Sequence, residues 1–376
     1  MERYDESEIK IVEQVIRSGE LSRFFQSFRG GRFIQSFEQD FSNYIGSKFA
    51  ISCSNGTVAL ELALVAMGVK RGDEVITTPL SFIATGTAIL RVGAAPVFVD
   101  VEKETLNIDP DKIEDAISPK TKVILPVSLN GYPAKMREIM DIASENSNKH
   151  DIFVLEDAAQ ALGAEINGQK LGTFSHMATF SFQESKTITT LGEGGMVITD
   201  DPTFSEQVLN IRNHGNIYGT VNNVICTNAR MTEAQAAFGI MQLRKLDDFN
   251  SIQTKNAEYF LTHLKSPFRS VYHFPLPDGI QPTYYLMPII SEGINRDKFL
   301  ESAKQKGLSR GIPGQNIGFY KKLIYESKVF QHYRHAVCPN AEWAKQNVLL
   351  FDIHRWSKTI NDMKNSLLQL ENLTKD

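Results

Sequence analysis

Residues 153–160 read Phe-Val-Leu-Glu-Asp-Ala-Ala-Gln, near the middle of a chain of 376 residues. The apolar and β-prone residues at the start predict a buried strand that ends at Glu156 and Asp157. Asp157 then stands at the carboxyl tip of this strand, three residues before Gln160. A carboxylate at that place can pair with a cationic group of a ligand, but strand-tip aspartates also cap the helices that follow them. The residue type alone does not decide between the two.

Short apolar runs alternate with helical patterns on both sides of this strand, from about residue 49 to residue 201. The other candidate strands are 50–52, 74–77, 96–99, 123–127, 178–182 and 196–199, and the helical patterns are 57–67, 81–92, 110–117 and 133–145. The alternation predicts an α/β fold with a mostly parallel central sheet that helices cover on both faces. Ligands of such sheets bind beyond the carboxyl ends of the strands.

The character of the chain changes after a long helical pattern at 232–264. Prolines are frequent from about residue 266, and this part contains a candidate strand at 284–290 and candidate helices at 296–306 and 358–373. We predict a large ligand-binding domain at 1–248 and a smaller C-terminal α+β domain at 249–376. An aromatic stretch at 24–33, between candidate helices 6–18 and 36–44, is a substrate-side loop, a dimer contact or a packed connection.

Composition argues against several classes of protein. The net charge is −4 with both signs mixed along the chain, so neither nucleic acid nor an anionic membrane is an expected partner. Three distant cysteines predict neither a disulfide framework nor a metal site. The N-terminus is polar and acidic, and no apolar run approaches the roughly 18 residues of a membrane span. The expected location is the cytoplasm.

A second candidate for ligand binding is Ser54-Asn55-Gly56-Thr57, between a strand and a helix. Gly56 lets the backbone approach a ligand closely, and the unpaired N–H groups at the start of a helix attract anions. The same residue types also make an ordinary helix cap. Phe82 follows the next strand, where its ring either stacks on a flat ligand or belongs to the core.

A third candidate is the stretch 180–186, Phe-Ser-Phe-Gln-Glu-Ser-Lys. Lys186 follows a buried strand, and in the crevice at the sheet edge partial desolvation would make its amine nucleophilic. Taken alone, Lys186 would be a solvated surface lysine. The run Glu193-Gly194-Gly195 leads into a strand rather than a helix, so it is no dinucleotide fingerprint, and a Rossmann dehydrogenase is disfavoured.

Together these residues match the needs of pyridoxal 5′-phosphate (PLP). Gly56 marks a phosphate site, Phe82 offers a stacking ring and Asp157 a partner for the ring nitrogen. Lys186, five residues after Ser181, offers the amine for a Schiff base. No single residue is specific, but the ordered set predicts a PLP enzyme.

The sequence resembles the DegT/DnrJ/StrS family of PLP-dependent sugar aminotransferases, a branch of the aspartate-aminotransferase-like (type I) fold. The likeness extends from about residue 37 to residue 246. The motifs that carry it are Phe37-Glu38, 54–60, 72–76, 156–160, 180–182, 193–195, 212–215 and 228–233.

The resemblance implies a role for each candidate. Lys186 would form the Schiff base and move a proton, Asp157 would keep the pyridine nitrogen protonated, Gln160 would bond the phenolic oxygen, and Phe82 would stack on the ring. Arg230 would bind a carboxylate of the amino donor. The residues implied at the phosphate are Asn55, Gly56, Thr57, Ser181 and, from the neighbouring subunit of a homodimer, Asn228.

The implied reaction transfers an amino group from an amino acid, with glutamate expected, to a keto sugar in amino-sugar and surface-polysaccharide (for example lipopolysaccharide) biosynthesis. PLP would pass through its pyridoxamine form. The alternatives are a sugar dehydratase on the same fold, which carries His at the Schiff-base position, and a non-catalytic regulatory homologue. The chain departs from the family at 128–131, 311–318 and 348–354, where the family meets the sugar. The substrate is therefore either a nucleotide-linked keto-deoxy sugar or an oxidised free sugar, such as an eight-carbon ulosonic acid.

Overall fold

The computed structural model describes residues 2–147, 151–215, 220–221, 224–291, 293, 296–305, 322–351 and 359–373. The helices are α1 (Glu6–Ser18), α2 (Arg32–Ile45), α3 (Gly56–Ala66), α4 (Ile83–Arg91), α5 (Pro110–Glu114), α6 (Met136–Asn146), α7 (Pro202–Arg212), α8 (Glu233–Arg244), α9 (Leu246–His263), α10 (Arg296–Gln305), α11 (Pro339–Asn347) and α12 (Ile360–Leu373). The strands are β1 (Phe49–Cys53), β2 (Glu74–Thr77), β3 (Ala95–Phe98), β4 (Thr121–Leu125), β5 (Phe153–Asp157), β6 (Glu165–Ile166), β7 (Gln169–Lys170), β8 (Met177–Ser181), β9 (Gly195–Thr199), β10 (Thr220–Val221), β11 (Val224–Ile225), β12 (Phe268–Ser270), β13 (Ile280–Gln281), β14 (Met287–Ser291) and β15 (Val348–Phe351).

The central sheet has seven strands in the order β1-β9-β8-β5-β4-β2-β3. Strand β9 runs antiparallel to both of its neighbours, and the other pairs are parallel. The carboxyl ends of β1, β2, β5 and β8 therefore meet at one edge of the sheet, beside the start of β9. This arrangement confirms the predicted α/β fold with a mostly parallel sheet.

Both faces of the sheet are buried, which explains the nearly continuous apolar runs of its strands. Val75 and Ile76 are neighbours on β2 with side chains on opposite faces. Val75 belongs to a core cluster with Ala63 of α3, and Ile76 belongs to a cluster with Ile139 of α6. A further cluster packs α2 and α8 against β8 and β9.

The C-terminal part contains a three-stranded antiparallel sheet in the order β12-β14-β15. Its apolar core also includes Leu80, Val127 and Tyr132, which follow strands of the central sheet, so the two parts of the chain share buried surface. The division of the chain after residue 248 stays a prediction, and it falls in the first turn of α9. No helix in the described ranges is long and apolar enough to cross a membrane.

Several boundaries differ from those expected, and α2 begins four residues before the predicted start at residue 36, at Arg32. The helical pattern at 232–264 is two helices, α8 and α9, because the Lys245 amide donates to the carbonyl of Gln242, three residues back, instead of continuing the α-helical pattern. The strand expected at 284–290 begins at Met287, since Tyr284 has a positive φ of 52° and breaks the extended chain. Residues 311–318 and 352–354, where departures from the family were noted, lie outside the described residues.

A buried ion pair joins three elements of the large domain. Arg212, at the end of α7, is fully buried, and its Nη1 lies 2.5 Å from Oε1 of Glu38 on α2. The same nitrogen donates to the carbonyl of Ser52 on β1 at 2.8 Å, and the Ser52 hydroxyl donates to Glu38 at 2.8 Å. Because both charges are removed from water, each depends on the other.

Replacing Glu38 by Ala is expected to lower the free energy of unfolding by about 3–5 kcal/mol, because the change leaves the Arg212 charge buried without its partner. Glu38→Gln, which keeps an acceptor, should cost less. Glu13→Ala, which breaks the exposed pair between Glu13 and Arg17, should cost no more than about 1 kcal/mol. Urea unfolding of the three variants measures the differences. Equal losses for Glu38→Ala and Glu13→Ala would contradict this account.

Candidate active site

A cavity of about 800 Å³ opens at the carboxyl edge of the central sheet. Its walls contain all the residues of this chain that the sequence predicts around the cofactor ring and phosphate, apart from Asn228. These residues are Asn55, Gly56, Thr57, Phe82, Asp157, Gln160, Ser181 and Lys186. The strand ends therefore bring together side chains that lie up to 131 positions apart in the sequence.

The start of α3 packs against the end of β8. Asn55 caps the helix, since its side chain accepts a hydrogen bond from the Val58 amide at 2.9 Å. A Cβ on Gly56 would lie 2.7 Å from the Cβ of Ser181, so only glycine allows this approach. The first amides of a helix have no partner within it, and here they lie next to the Ser181 side chain. This cradle suits a phosphate.

The carboxylate of Asp157 is buried in the cavity wall. Its Oδ2 accepts a hydrogen bond from the Thr85 hydroxyl at 2.9 Å, and its Oδ1 accepts one from the Ala159 amide at 3.2 Å. Burial raises the pKa of Asp157, while the bonds from Thr85 and Ala159 and the charge of Lys186 act in the opposite direction. A cationic ring nitrogen bound beside it would favour the ionised carboxylate.

The amide group of Gln160 has a fixed orientation. The backbone amide of Asn130 donates to Gln160 Oε1 at 2.8 Å, and only the oxygen of a side-chain amide can accept such a bond. The structure gives Gln160 Nε2 no acceptor among the described residues. Gln160 is therefore held as a hydrogen-bond donor, which fits the expected contact with a phenolic oxygen.

The side chain of Lys186 extends across an aromatic ring from the C-terminal part of the chain. Its Nζ lies 4.7 Å from the ring centroid of Tyr285, and the Tyr285 hydroxyl lies 3.1 Å from the Ser185 hydroxyl. The Lys186 amide donates to the carbonyl of Gln183 at 2.8 Å, which closes a turn just before the lysine. Lys186 and Asp157 thus line one cavity, with an aromatic face behind the amine.

Phe82 lies at the open side of the cavity, at the N-cap position of α4. Its ring is 54% exposed, which is high for an aromatic residue, and the exposed ring offers a surface on which a flat ligand can stack. Three residues further along, Thr85 connects the Ser81 hydroxyl at 2.9 Å to Asp157. One helix start therefore supplies both the stacking ring and the support of the buried carboxylate.

The sequence reasoning missed Thr85 and Tyr285. Thr85 had a usable signal, because it stands one helical turn after Phe82 and faces the same edge of the sheet. Tyr285 had none, since its contact with Lys186 depends on how a segment 99 residues away returns to the sheet.

Asn228 and Arg230 lie outside this cavity. Asn228 is exposed, and the Arg230 guanidinium lies 5.4 Å from the ring centroids of both Phe24 and Phe25. Phe25 is 82% exposed, so the aromatic stretch contacts Arg230 at the surface of this subunit. The structure does not bring these two residues to the Lys186 of their own chain.

Residues 128–131, where the chain departs from the family, support the end of β5 and Gln160. The Ser128 hydroxyl donates to Glu156 Oε1 at 2.7 Å, and the Gly172 amide donates to Glu156 Oε2 at 2.8 Å. Complete burial raises the pKa of Glu156 to about 7 against these two bonds. Asn130, which orients Gln160, belongs to the same turn and adopts a left-handed conformation with φ of 57°.

Comparison with known proteins identifies the family. The model described as the DegT/DnrJ/EryC1/StrS aminotransferase family matches residues 2–361. The chain belongs to this family. PLP is the cofactor of its aminotransferases and of their structural neighbours, which confirms the cofactor expected from the sequence.

Two curated relatives align with most of the chain. "Uncharacterized protein MJ1066" of Methanocaldococcus jannaschii is 38% identical, over 85% of this chain and 84% of the relative. The UDP-N-acetyl-3-dehydro-α-D-glucosamine 3-aminotransferase of Acidithiobacillus ferrooxidans is 35% identical, over 86% of this chain and 84% of the relative.

Solved structures share the whole fold. An aminotransferase from Psychrobacter cryohalolentis is 30% identical with a TM-score of 0.86, over 99% of this chain and 97% of that one. The E. coli GDP-4-keto-6-deoxy-D-mannose-3-dehydratase, whose structure holds hydrated PLP, is 27% identical with a TM-score of 0.84, over 98% of each chain. The fold and family therefore include both aminotransferases and dehydratases.

Glu156 makes the stability of the fold depend on pH. Its pKa rises from 4.5 in the unfolded chain to about 7 in the folded one, so the folded state binds the proton more tightly. This contribution favours folding at low pH and is lost as the pH rises through that window, by about 3 kcal/mol in all.

Glu156→Gln removes this titration while keeping a group that can accept from Gly172 and donate to Ser128. We expect the variant to equal the wild type near pH 4, below the unfolded-state pKa of Glu156, and to be more stable near pH 8. Unfolding free energies measured across this range give the difference. A difference that does not change with pH would rule out the proposed titration of Glu156.

Proposed function

We propose that this protein is a PLP-dependent aminotransferase that transfers the amino group of an amino acid to a keto sugar. The observation that carries the proposal is the shared cavity of Lys186, Asp157 and the anion cradle at Gly56 and Ser181. An amine, a buried carboxylate and an anion site are the groups that PLP requires on one wall. The family supports sugar-modifying PLP chemistry of this kind.

PLP, when bound, supplies an electron sink for the substrate carbon that loses or gains a proton. The amides at the start of α3 and the Ser181 hydroxyl would bind its phosphate, and the buried Asp157 carboxylate would keep its ring nitrogen protonated. Gln160 would donate to its phenolic oxygen, and Phe82 would offer a stacking surface to its ring. Lys186 Nζ would hold the cofactor and, as a free amine, would move the proton.

Lys186 also favours aminotransfer over the two alternatives. A lysine amine can accept a proton at one carbon and donate it at another, as transfer of an amino group demands. The resemblance implies His at this position in the dehydratases. A regulatory homologue without catalysis would not need Lys186, Asp157 and the cradle together, and this chain keeps all three.

The proposed substrates are an amino acid, with glutamate expected, and a keto sugar. Similarity to a nucleotide-sugar aminotransferase supports an amino-sugar or surface-polysaccharide pathway. The turn at Ser128 and Asn130 departs from the family where the family meets the sugar. We therefore propose either a nucleotide-linked keto-deoxy sugar or an oxidised free sugar, such as an eight-carbon ulosonic acid, as the acceptor.

We further propose a homodimer whose active sites combine residues of both subunits. Asn228 is exposed away from the cavity of its own chain, and Arg230 Nε is buried with no acceptor among the described residues. In a dimer, Asn228 would reach the phosphate in the neighbouring site and Arg230 a carboxylate of the donor.

The direct test is Lys186→Ala, with Lys70→Ala, a change at an exposed lysine, as the control. Wild-type and control proteins with PLP are expected to show a visible absorbance band that borohydride removes. Lys186→Ala should lack this band and lose roughly 10²-fold to 10⁴-fold in turnover. Conversion of glutamate to its 2-oxo acid with nitrogen retained in the sugar separates aminotransfer from dehydration. Retention of both band and turnover in Lys186→Ala would refute the proposal.

Mixing two inactive variants tests the shared site. Heterodimers of Lys186→Ala with Asn228→Ala contain one site with both wild-type residues. Random exchange of subunits should therefore restore about a quarter of the wild-type activity. The mixture of Lys186→Ala with Lys186→Ala/Asn228→Ala serves as the control and should stay inactive. Failure to restore activity, with heterodimers shown by mass spectrometry, would mean that each site is complete within one subunit.

A further inference from the structure

The N-terminal segment reaches the backbone of the proposed Schiff-base lysine. Arg3 Nη2 donates a hydrogen bond to the main-chain carbonyl oxygen of Lys186 at 2.8 Å, across 183 positions of sequence. Arg3 is only 9% exposed, so its guanidinium has left water to make this contact. Arginine side chains are mostly exposed in proteins, so the burial of Arg3 against the carbonyl of Lys186 is unusual.

The segment that carries Arg3 is firmly attached to the large domain. The Gln242 side chain of α8 donates to the Arg3 carbonyl at 2.8 Å and to Glu8 at 2.8 Å. Lys245 Nζ lies 2.8 Å from Asp5 and 2.6 Å from Glu8, and these two acids form the capping box of α1. We call residues 3–8 the N-terminal strap, because they connect α8 to the Lys186 loop.

The loop that carries Lys186 is held at its base and also beside the lysine, where the Ser185 hydroxyl lies 3.1 Å from that of Tyr285. The Glu184 amide donates to the Gly192 carbonyl at 2.9 Å, and the Thr190 amide donates to the Phe182 carbonyl at 3.3 Å. Towards the tip, the Lys186 amide binds Gln183, and Arg3 binds the Lys186 carbonyl. The amide of Lys186 is therefore bonded within the loop, and its carbonyl is bonded by the strap.

We propose that Arg3 is a positioning residue, which holds the backbone of Lys186 so that Nζ meets the cofactor and the substrate carbon in the productive geometry. A hydrogen bond from a charged donor is roughly twice as strong as a neutral one, which suits a single anchoring contact. A displacement of about 1 Å in a reacting group can cost on the order of 100-fold in rate. The inference rests on the proposed function, since it assumes that Lys186 carries the chemistry.

Other charged and titratable groups lie near Lys186 or near Arg3. Asp157 and Tyr285 face Lys186 in the cavity, and Glu184 and Tyr4 lie near Arg3. Arg3 differs from them in contributing both a positive charge and a tether, by which we mean its hydrogen bond to the Lys186 carbonyl. Two substitutions separate these contributions.

The test compares Arg3→Met and Arg3→Lys with Arg17→Met, which removes an exposed arginine of α1. Each holoenzyme is mixed with excess glutamate, and loss of the Schiff-base absorbance band gives the rate of the first half-reaction. We expect about a tenfold slower reaction in Arg3→Met at saturating glutamate, with little change in KM. Arg17→Met should match the wild type.

A pH titration of the absorbance band gives a second measure that folding defects would not move. Arg3 holds a positive charge against the Lys186 backbone, with Nη2 2.8 Å from the carbonyl oxygen. Its removal in Arg3→Met should favour the cationic Schiff base, so the band should titrate at higher pH than in the wild type. Arg3→Lys keeps the charge but not the planar donor, so it should titrate like the wild type and still react more slowly.

Wild-type rate and titration in Arg3→Met, or a loss confined to its melting temperature, would overturn the inference. If Arg3→Met does not fold, Arg3→Lys decides alone, and a wild-type rate in that variant counts against the tether. Absence of the band from the wild type would instead refute the proposed function, so the two failures are distinguishable.

Discussion

The buried carboxylate of Asp157 is the constraint on which the site depends. A carboxylate without water needs hydrogen bonds or a countercharge. Thr85 and Ala159 donate two hydrogen bonds to it, and Lys186 supplies a positive charge that lowers its pKa. At the tip of β5 this group is supported by Thr85, which lies in the first turn of α4. The same helix start also positions Phe82.

A second constraint links the C-terminal part of the chain to the wall of the cavity. Gly131 lies so close to the segment around Thr283 and Tyr285 that a Cβ would be 2.5 Å from the Thr283 hydroxyl. The same turn orients Gln160 through the Asn130 amide. A change in the packing of the C-terminal part would therefore reach both the Gln160 amide and the aromatic face behind Lys186.

The sequence predicted the elements and residues whose signals are local. The strands were evident because both faces of the sheet are buried. Asp157 and Lys186 were candidates because Asp157 ends one such strand and Lys186 follows another within five residues. The break at Lys245 was not, because a single hydrogen bond within an unbroken helical pattern decides it. Tyr285 and Arg3 were not, because their value lies in contacts with segments about 100 and 183 positions away.

The same distinction explains why the reaction was easier to infer than the sugar. PLP chemistry needs groups at fixed places on one sheet edge, and those places follow from the strand order. Under the proposed function, recognition of a sugar would draw on turns such as 128–131, on the C-terminal part and on a second subunit. Here Ser128 binds Glu156, and Asn130 binds Gln160. This turn therefore supports the end of β5 and one residue of the cavity wall. If the proposed function holds, substitutions in the turn are expected to act on catalysis and on substrate choice together. Separate measurement of the two half-reactions would distinguish these effects.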